Sequence, residues 1–215
     1  MMQGRVKGLL AGGLLVLLVS GCAALPKGSV MFTHTPLLPV GTIDVKAGLQ
    51  ILQDERPQKE KRALKTISSI DEQATSLLLQ DFQQAKLFES LELTSDSEQV
   101  DILLRGEIRS LTWRSRWYPV TFIPYVNLVT FLGFPAGINE GGARIYLEVV
   151  NARTGAVIER YERSSGSSRT YSIFQATDHR TSGGEETREA LRTISDELKR
   201  ALWNDRAKLT AASSP

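Results

Sequence analysis

The sequence predicts an α+β fold, a single mixed sheet with two packed helices in the chain order β-α-β-β-β-β-α. Three observations carry the prediction. Two long segments, residues 70–86 and 185–206, repeat apolar residues at helical spacing. The segments before, between and after the first of them alternate apolar and polar residues with a period of two. No internal repeat is visible, so one layer of strands packed on helices is the natural way to bury both helical stripes.

The first strand is Thr42 to Gln53. Ile43, Val45 and Ala47 fall on one face, with Asp44 and Lys46 on the other. After Gly48 the apolar set shifts to Leu49, Ile51 and Leu52, which predicts a bulge at Gly48. The strand ends at Asp54-Glu55-Arg56-Pro57, and a charged loop, QKEKRALK, follows. Ser69-Ile70-Asp71-Glu72 matches a capping box, opening a helix whose buried face is Ala74, Leu78, Phe82 and Ala85. LFESLEL, residues 87–93, reads as a second strand. Residues 100–113 read as a stronger one, with Ile102, Leu104 and Ile108 against Leu103, Arg105, Glu107 and Arg109. Gly141-Gly142 reads as a turn before strands at 143–150 and 157–163. Their connector, Asn151 to Gly155, carries glycine where a five-residue hairpin loop wants it. SSGSS, residues 164–168, reads as flexible or bulged. In the last helix Leu191, Ile194, Leu198, Ala201 and Leu202 form the buried stripe, while Arg188, Arg192, Lys199 and Arg200 are assigned to water. Residues 207–215 read as a frayed tail.

Ahead of this domain, residues 1–21 have the form of a signal peptide. Arg5 and Lys7 give a positive start, and Leu9 to Val19 give an apolar run. That run falls well short of the ~20 residues a membrane span requires. It ends in Val19-Ser20-Gly21-Cys22, which resembles the bacterial lipobox, where a cysteine after small residues is lipidated and becomes the new N-terminus. The competing reading is an ordinary secretory signal with a chance cysteine. The chain has one cysteine, so no disulfide forms within a molecule. The lipobox resemblance implies acyl chains on Cys22, and two or more chains hold a protein firmly to a bilayer. Ala23, rather than Asp, follows the cysteine. By resemblance to Gram-negative lipoprotein sorting, that implies the periplasmic face of the outer membrane. Residues 22–41, with prolines and glycines, read as the lipidated tether, and 42–206 as the periplasmic domain.

Composition narrows the function classes. Of 26 basic residues, the leader removes Arg5 and Lys7 and no acid, leaving 24 against 24 acidic residues. A balanced mature chain gives no argument for nucleic acid as a partner. Catalytic signatures are also missing. His34 and His179 lack metal-ligand spacing, and neither a nucleophile elbow nor a phosphate-binding loop is present. Asp178 beside His179 reads as a solvated polar loop, and Asp54 with Arg56 as a structural ion pair. The expectation is a non-catalytic protein with no cofactor and no metal.

The apolar segment 117–139, WYPVTFIPYVNLVTFLGFPAGIN, contains no charged residue and no histidine. Pro119, Pro124, Pro135 and Gly133 interrupt it, which excludes a transmembrane helix. Leaving nine of its large side chains in water would forgo about 1.5–3 kcal/mol each, so something must cover them. Trp117, Tyr118 and Tyr125 are aromatics of the kind found at headgroup level, and Arg114 and Arg116 precede them, positioned to meet phosphates. Contact with lipid or a neighbouring subunit is therefore the favoured reading, through Trp117, Tyr118, Phe122, Tyr125, Leu128, Phe131 and Phe134. Burial within the domain is the alternative.

The lipobox, the element order, the strand ending in Asp-x-Arg and the apolar mid-chain segment together resemble a group of outer-membrane lipoproteins. The group includes the curli-secretion lipoprotein, the Pel-export lipoprotein and the lipoprotein activators of penicillin-binding proteins. The resemblance implies an anticodon-binding-like sheet similar to the N-terminal domain of TolB. It also implies an assembly or accessory role in an envelope export or transport system, as a homo-oligomer or with an envelope protein partner. A monomeric periplasmic binding module regulating a cell-wall synthesis enzyme is the alternative.

Overall fold

The computed structural model describes residues 41–63, 69–94, 96, 98–119, 135–172 and 185–213. Cys22, His34, Asp178 and His179 lie outside them, as do Phe122, Tyr125, Leu128, Phe131 and Phe134.

The fold is α+β with one mixed sheet. In chain order the elements are β1 (Ile43–Leu49), β2 (Gln53–Asp54), α1 (Gln58–Ala63), α2 (Ile70–Gln84), β3 (Phe88–Leu93), β4 (Ile102–Trp117), β5 (Pro135–Asn151), β6 (Val157–Ser172), α3 (Glu185–Asn204) and α4 (Arg206–Ser213). The strand order is β3-β1-β4-β5-β6, with β2 also paired to β4. β1 runs parallel to β3 and β4, while β4, β5 and β6 form an antiparallel meander.

The predicted periodicities set the core. Ile43, Val45, Ala47 and Leu49 of β1 join Ile102, Leu104 and Ile108 of β4 and Ile145, Leu147 and Val149 of β5. Onto them pack Leu78 and Phe82 of α2 and Ile194, Leu198 and Leu202 of α3. Each of these side chains is nearly or wholly shielded from water. Burial of a large apolar side chain contributes about 1.5–3 kcal/mol, so this layer dominates the folding energy.

Several local expectations are corrected. No bulge falls at Gly48, which stays in register with Glu92 of β3 and Leu103 of β4; the β1–β3 register shifts earlier, between Ile43 and Lys46. The break comes instead between Leu49 and Gln53, where the Leu52 amide donates to Thr75 Oγ1 (2.9 Å). The charged loop contains α1, its first turn closed by amides of Glu60 and Lys61 donating to Pro57 O (2.9 and 3.1 Å). The capping box is not formed: Ser69 adopts φ 59°, ψ 45° and makes no side-chain cap bond. Gly141-Gly142 and SSGSS lie inside β5 and β6, which are continuous through them. The expected frayed tail, 207–215, forms α4 over Arg206–Ser213, because Leu209 is fully buried and Ala212 O accepts from Asn151 Nδ2 (2.5 Å). The Asn151–Gly155 hairpin forms as expected, with Gly155 at φ +71° and Asn151 Oδ1 accepting from the amides of Arg153 and Thr154 (2.9 Å each).

Lys199 is the largest correction. It is fully buried, with its ammonium 3.0 Å from Asp81 Oδ2 and 2.6 Å from Asp196 Oδ1. These are ion-pair contacts rather than aligned hydrogen bonds. Asp81 also accepts from the Ser195 hydroxyl. The cluster pins α2 to α3, since a buried charge must find its counter-charge within the core.

Candidate functional site

Trp117 and Tyr118 are the two described members of the predicted contact set. They lie where β4 leaves the sheet. β4 and β5 stay paired from Ile102↔Asn151 to Trp117↔Gly137, so the segment between them connects the far ends of a long hairpin. Along β4 the side chains pass from buried to exposed beyond Leu111. Trp117 itself is 41% exposed. The apolar segment is thus partly strand: Trp117 ends β4, and residues 135–139 open β5.

The end of this hairpin is built with care. The Trp117 ring meets Tyr171 of β6 edge-on, with centroids 5.6 Å apart and planes at 89°. Such pairs stabilise by about 0.5–1.5 kcal/mol beyond area burial. Tyr171 is buried, and its hydroxyl lies 3.4 Å from Ser115 Oγ. The Tyr118 amide donates to Ala136 O (2.9 Å), extending the ladder one residue past the strand. Helix α3 closes over the hairpin at Gly141, where a Cβ would stand 2.3 Å from the Thr187 amide nitrogen. Thr187 Oγ1 donates to Thr112 O across this contact (2.9 Å). Asn139 is buried beside it, and neither side-chain amide atom has a hydrogen-bond partner among the described residues.

The charges predicted to meet phosphates are divided. Arg116 pairs with Glu140 at 2.6 Å, both substantially exposed. Arg114 is exposed on the same strand face. Arg169 of β6 pairs with Glu185 at the start of α3 (3.0 Å).

Elsewhere, Asp54 and Arg56 form the structural pair expected at the end of β2. Arg56 Nε donates to Asp54 Oδ1 (2.8 Å) and its Nη2 to Oδ2 (2.9 Å). These bonds hold the Asp54 carboxyl below its ordinary value, against the opposing effect of burial. Sequence reasoning missed Glu60, whose carboxylate accepts from Ser110 Oγ (3.1 Å) and the Leu111 amide (3.0 Å). Glu60 thereby covers the edge of β4 just past β2. Its signal was lost in a run read as a charged loop.

Among the described residues no group of three or more His, Cys, Asp or Glu stands close enough to hold a metal ion. No described helix is long and apolar enough to cross a membrane, which says nothing of strands. Two shallow clefts lie among the described residues. One, of about 320 Å³, is lined by Lys46, Glu98, Asp101 and Arg153 among others, and the second, of about 340 Å³, by Thr42, Gln83, Lys86 and Phe88 among others. Neither adjoins the hairpin end.

No family model matches the chain, and no match among curated proteins was found. Solved structures with a similar chain layout include a Xanthomonas campestris protein described by the family model DUF330, at 10% identity and a TM-score of 0.47, covering 85% of this chain and 96% of that one. A minor lipoprotein from Acinetobacter baumannii is 12% identical with a TM-score of 0.40, covering 74% of this chain and 92% of its own. The PelC dodecamer from Paraburkholderia phytofirmans is 12% identical with a TM-score of 0.37, covering 77% and 90%. At such distances no function passes from one chain to another.

Proposed function

We propose that the protein is a non-catalytic lipoprotein of the periplasmic face of the outer membrane, anchored through Cys22, in the group typified by the TolB N-terminal-like lipoproteins. Its α+β domain serves as an assembly or accessory component of an envelope export or transport system. Residues 117–136 dock the domain on lipid or on a neighbouring subunit. The observation that carries this reading is the position of the two ends of the apolar run. Trp117 and Pro135 sit at the end of the β4–β5 hairpin, past the last core residue of β4, Leu111. A run with no charged residue, beginning at a half-exposed tryptophan, fits a contact surface.

The anchor is tested by mass spectrometry of the mature protein and by cell fractionation of Cys22→Ser. Acyl mass on Cys22, and loss of membrane recovery in the variant, are expected. The contact surface is tested by light scattering on residues 27–215, which include α4, with and without 119–136. Association or a detergent requirement in the intact form alone supports docking. A clean monomer in both forms points instead to the binding-module reading.

A further inference from the structure

Beyond a small apolar cluster of Leu103, Val150 and Ala152, the face of β4, β5 and β6 opposite α2 and α3 is polar, and it divides into two unlike halves. Toward the β5–β6 turn the charges are interwoven. Arg160 pairs with Glu148 (2.9 Å), and Arg109 with both Glu107 and Glu162 (3.1 Å each). Arg109 also lies 4.0 Å over the Tyr146 ring, and the Tyr146 hydroxyl donates to Glu148 (2.6 Å). Arg105, on the same face, raises the positive potential at Glu148.

Toward the hairpin end the balance changes. Strand alternation and register bring Arg114, Arg116 and Arg144 to this face with one carboxylate, Glu140, among the described residues there. Arg116 takes Glu140. Among the described residues the side chains of Arg114 and Arg144 find no hydrogen-bond or ion-pair partner, and both are exposed. Between their rows the register sets Thr112 beside Gly142 and Gly142 beside Gly166, flanked by Ser164 and Ser168. The result is a low floor with two uncommitted guanidinium groups standing at its borders. Glu60, on the β4 edge, is turned onto Ser110 and Leu111.

We propose that this half of the face lies flat against the anionic headgroups of a bilayer, with Arg114 and Arg144 pairing with lipid phosphates. The proposal rests on the contact reading above and specifies the partner. A lipid surface fits because the arginine floor runs directly into the uncharged segment that begins at Trp117 and Tyr118. Arg114 lies three residues before Trp117, about 10 Å along the strand. Strand alternation turns Trp117 toward Tyr171 on the α3 side and sets Tyr118 on the arginine face, so a bilayer lying along that face meets the guanidinium groups together with the Tyr118 phenol. Arg144 faces Ser110, seven residues back from Trp117 and about 24 Å along the strand. Both arginines reach phosphates only if the sheet lies along the surface rather than standing end-on.

The test uses the full acylated chain in three settings: detergent micelles, phosphatidylcholine vesicles, and vesicles with about one-third phosphatidylglycerol. Arginines are labelled with phenylglyoxal and the rates read residue by residue by mass spectrometry. Arg153, exposed in the β5–β6 turn, is the internal reference. The expected result is that Arg114 and Arg144 label about fivefold more slowly on the anionic vesicles alone. Their rates should recover in about 0.5 M salt, where screening shortens the electrostatic range to a few ångströms. Equal rates on both vesicle types overturn the proposal. So does protection that appears in micelles and grows with protein concentration, which assigns the face to a second copy. Protection of Arg114 without Arg144 overturns the flat orientation. Failure of the anchor reading is seen separately, as an unmodified Cys22 in the same spectra.

Discussion

At the scale of single residues, the buried charge cluster dominates. Asp81, Ser195 and Lys199 are fully shielded, and Asp196 nearly so. Lys199→Met leaves Asp81 in the core without its cation, which is expected to cost about 3–5 kcal/mol in urea unfolding. The triple change Asp81→Leu, Asp196→Asn and Lys199→Met should recover much of that loss, because no charge is then stranded. A single variant as stable as wild type would show that the ion pair is absent in solution. Tyr161 makes a second residue-scale prediction. Burial first, and then the Asp205 carboxylate that accepts from its hydroxyl (2.8 Å), push the phenol well above its ordinary value. In the unfolded chain the phenol ionises near pH 10, while in the folded protein it keeps its proton. Above about pH 10 the unfolded state therefore binds fewer protons, and stability falls by about 1.4 kcal/mol per pH unit from this group. Tyr161→Phe should lose stability at neutral pH and show a shallower decline between about pH 10 and 11. Parallel alkaline limbs in the two proteins would exclude Tyr161 as the source. Both groups show what the sequence held and what hid it. Lys199 sits eight residues after Leu191 and three before Leu202, on the buried stripe. Asp81 sits three after Leu78 and four before Ala85, on the other helix's stripe. The spacing was correct for both, and the general preference of charged side chains for water pointed the other way. A buried pair separated by over a hundred residues leaves no local signal of its partner.

At the scale of elements, the periodic segments were legible because their alternation has a single physical cause, one face buried against the other layer. Element ends were less so. The Gly141-Gly142 pair and the SSGSS run carry turn composition, yet the register holds Gly141↔Ser167 and Gly142↔Gly166 in mid-sheet. The reason for Gly141 is tertiary: the backbone of α3 occupies the space of its missing Cβ, with Thr187 N at 2.3 Å and Glu186 C at 2.5 Å. Gly141→Ala must therefore displace the start of α3, and it should cost about 1–3 kcal/mol. Gly142 points to the opposite face, where the nearest neighbour to an added Cβ is the Thr112 hydroxyl at 3.0 Å. Gly142→Ala should be close to neutral in the same thermal unfolding assay, since a rotatable side chain can give way. Equal losses at both positions would mean that strand flexibility, not the α3 contact, requires glycine here. The tail illustrates the same limit. Leu209 anchors α4 with a single apolar side chain, too sparse a pattern for periodicity to register.

At the scale of the whole molecule, the question is whether the segment linking β4 to β5 belongs to the core or to a contact. The sheet offers a clean excision. Trp117 and Gly137 are paired across the hairpin, so residues 118–136 can be replaced by Asn-Gly, a two-residue turn that suits an antiparallel pair. If the excised side chains packed inside the domain, nine large apolar groups at about 1.5–3 kcal/mol each would be lost. That sum matches or exceeds the about 5–15 kcal/mol by which a domain is stable, and no cooperative unfolding transition would remain. Among the described residues the helix-packed core runs from β3 to β6. The expected outcome is thus a shortened protein that unfolds cooperatively, with a midpoint within a few degrees of wild type, and that no longer associates or requires detergent. Circular dichroism melts and light scattering on the same samples read both properties. A shortened chain without a melting transition would return the apolar segment to the interior of the domain, and the hairpin end would then be part of the fold rather than its contact with the envelope.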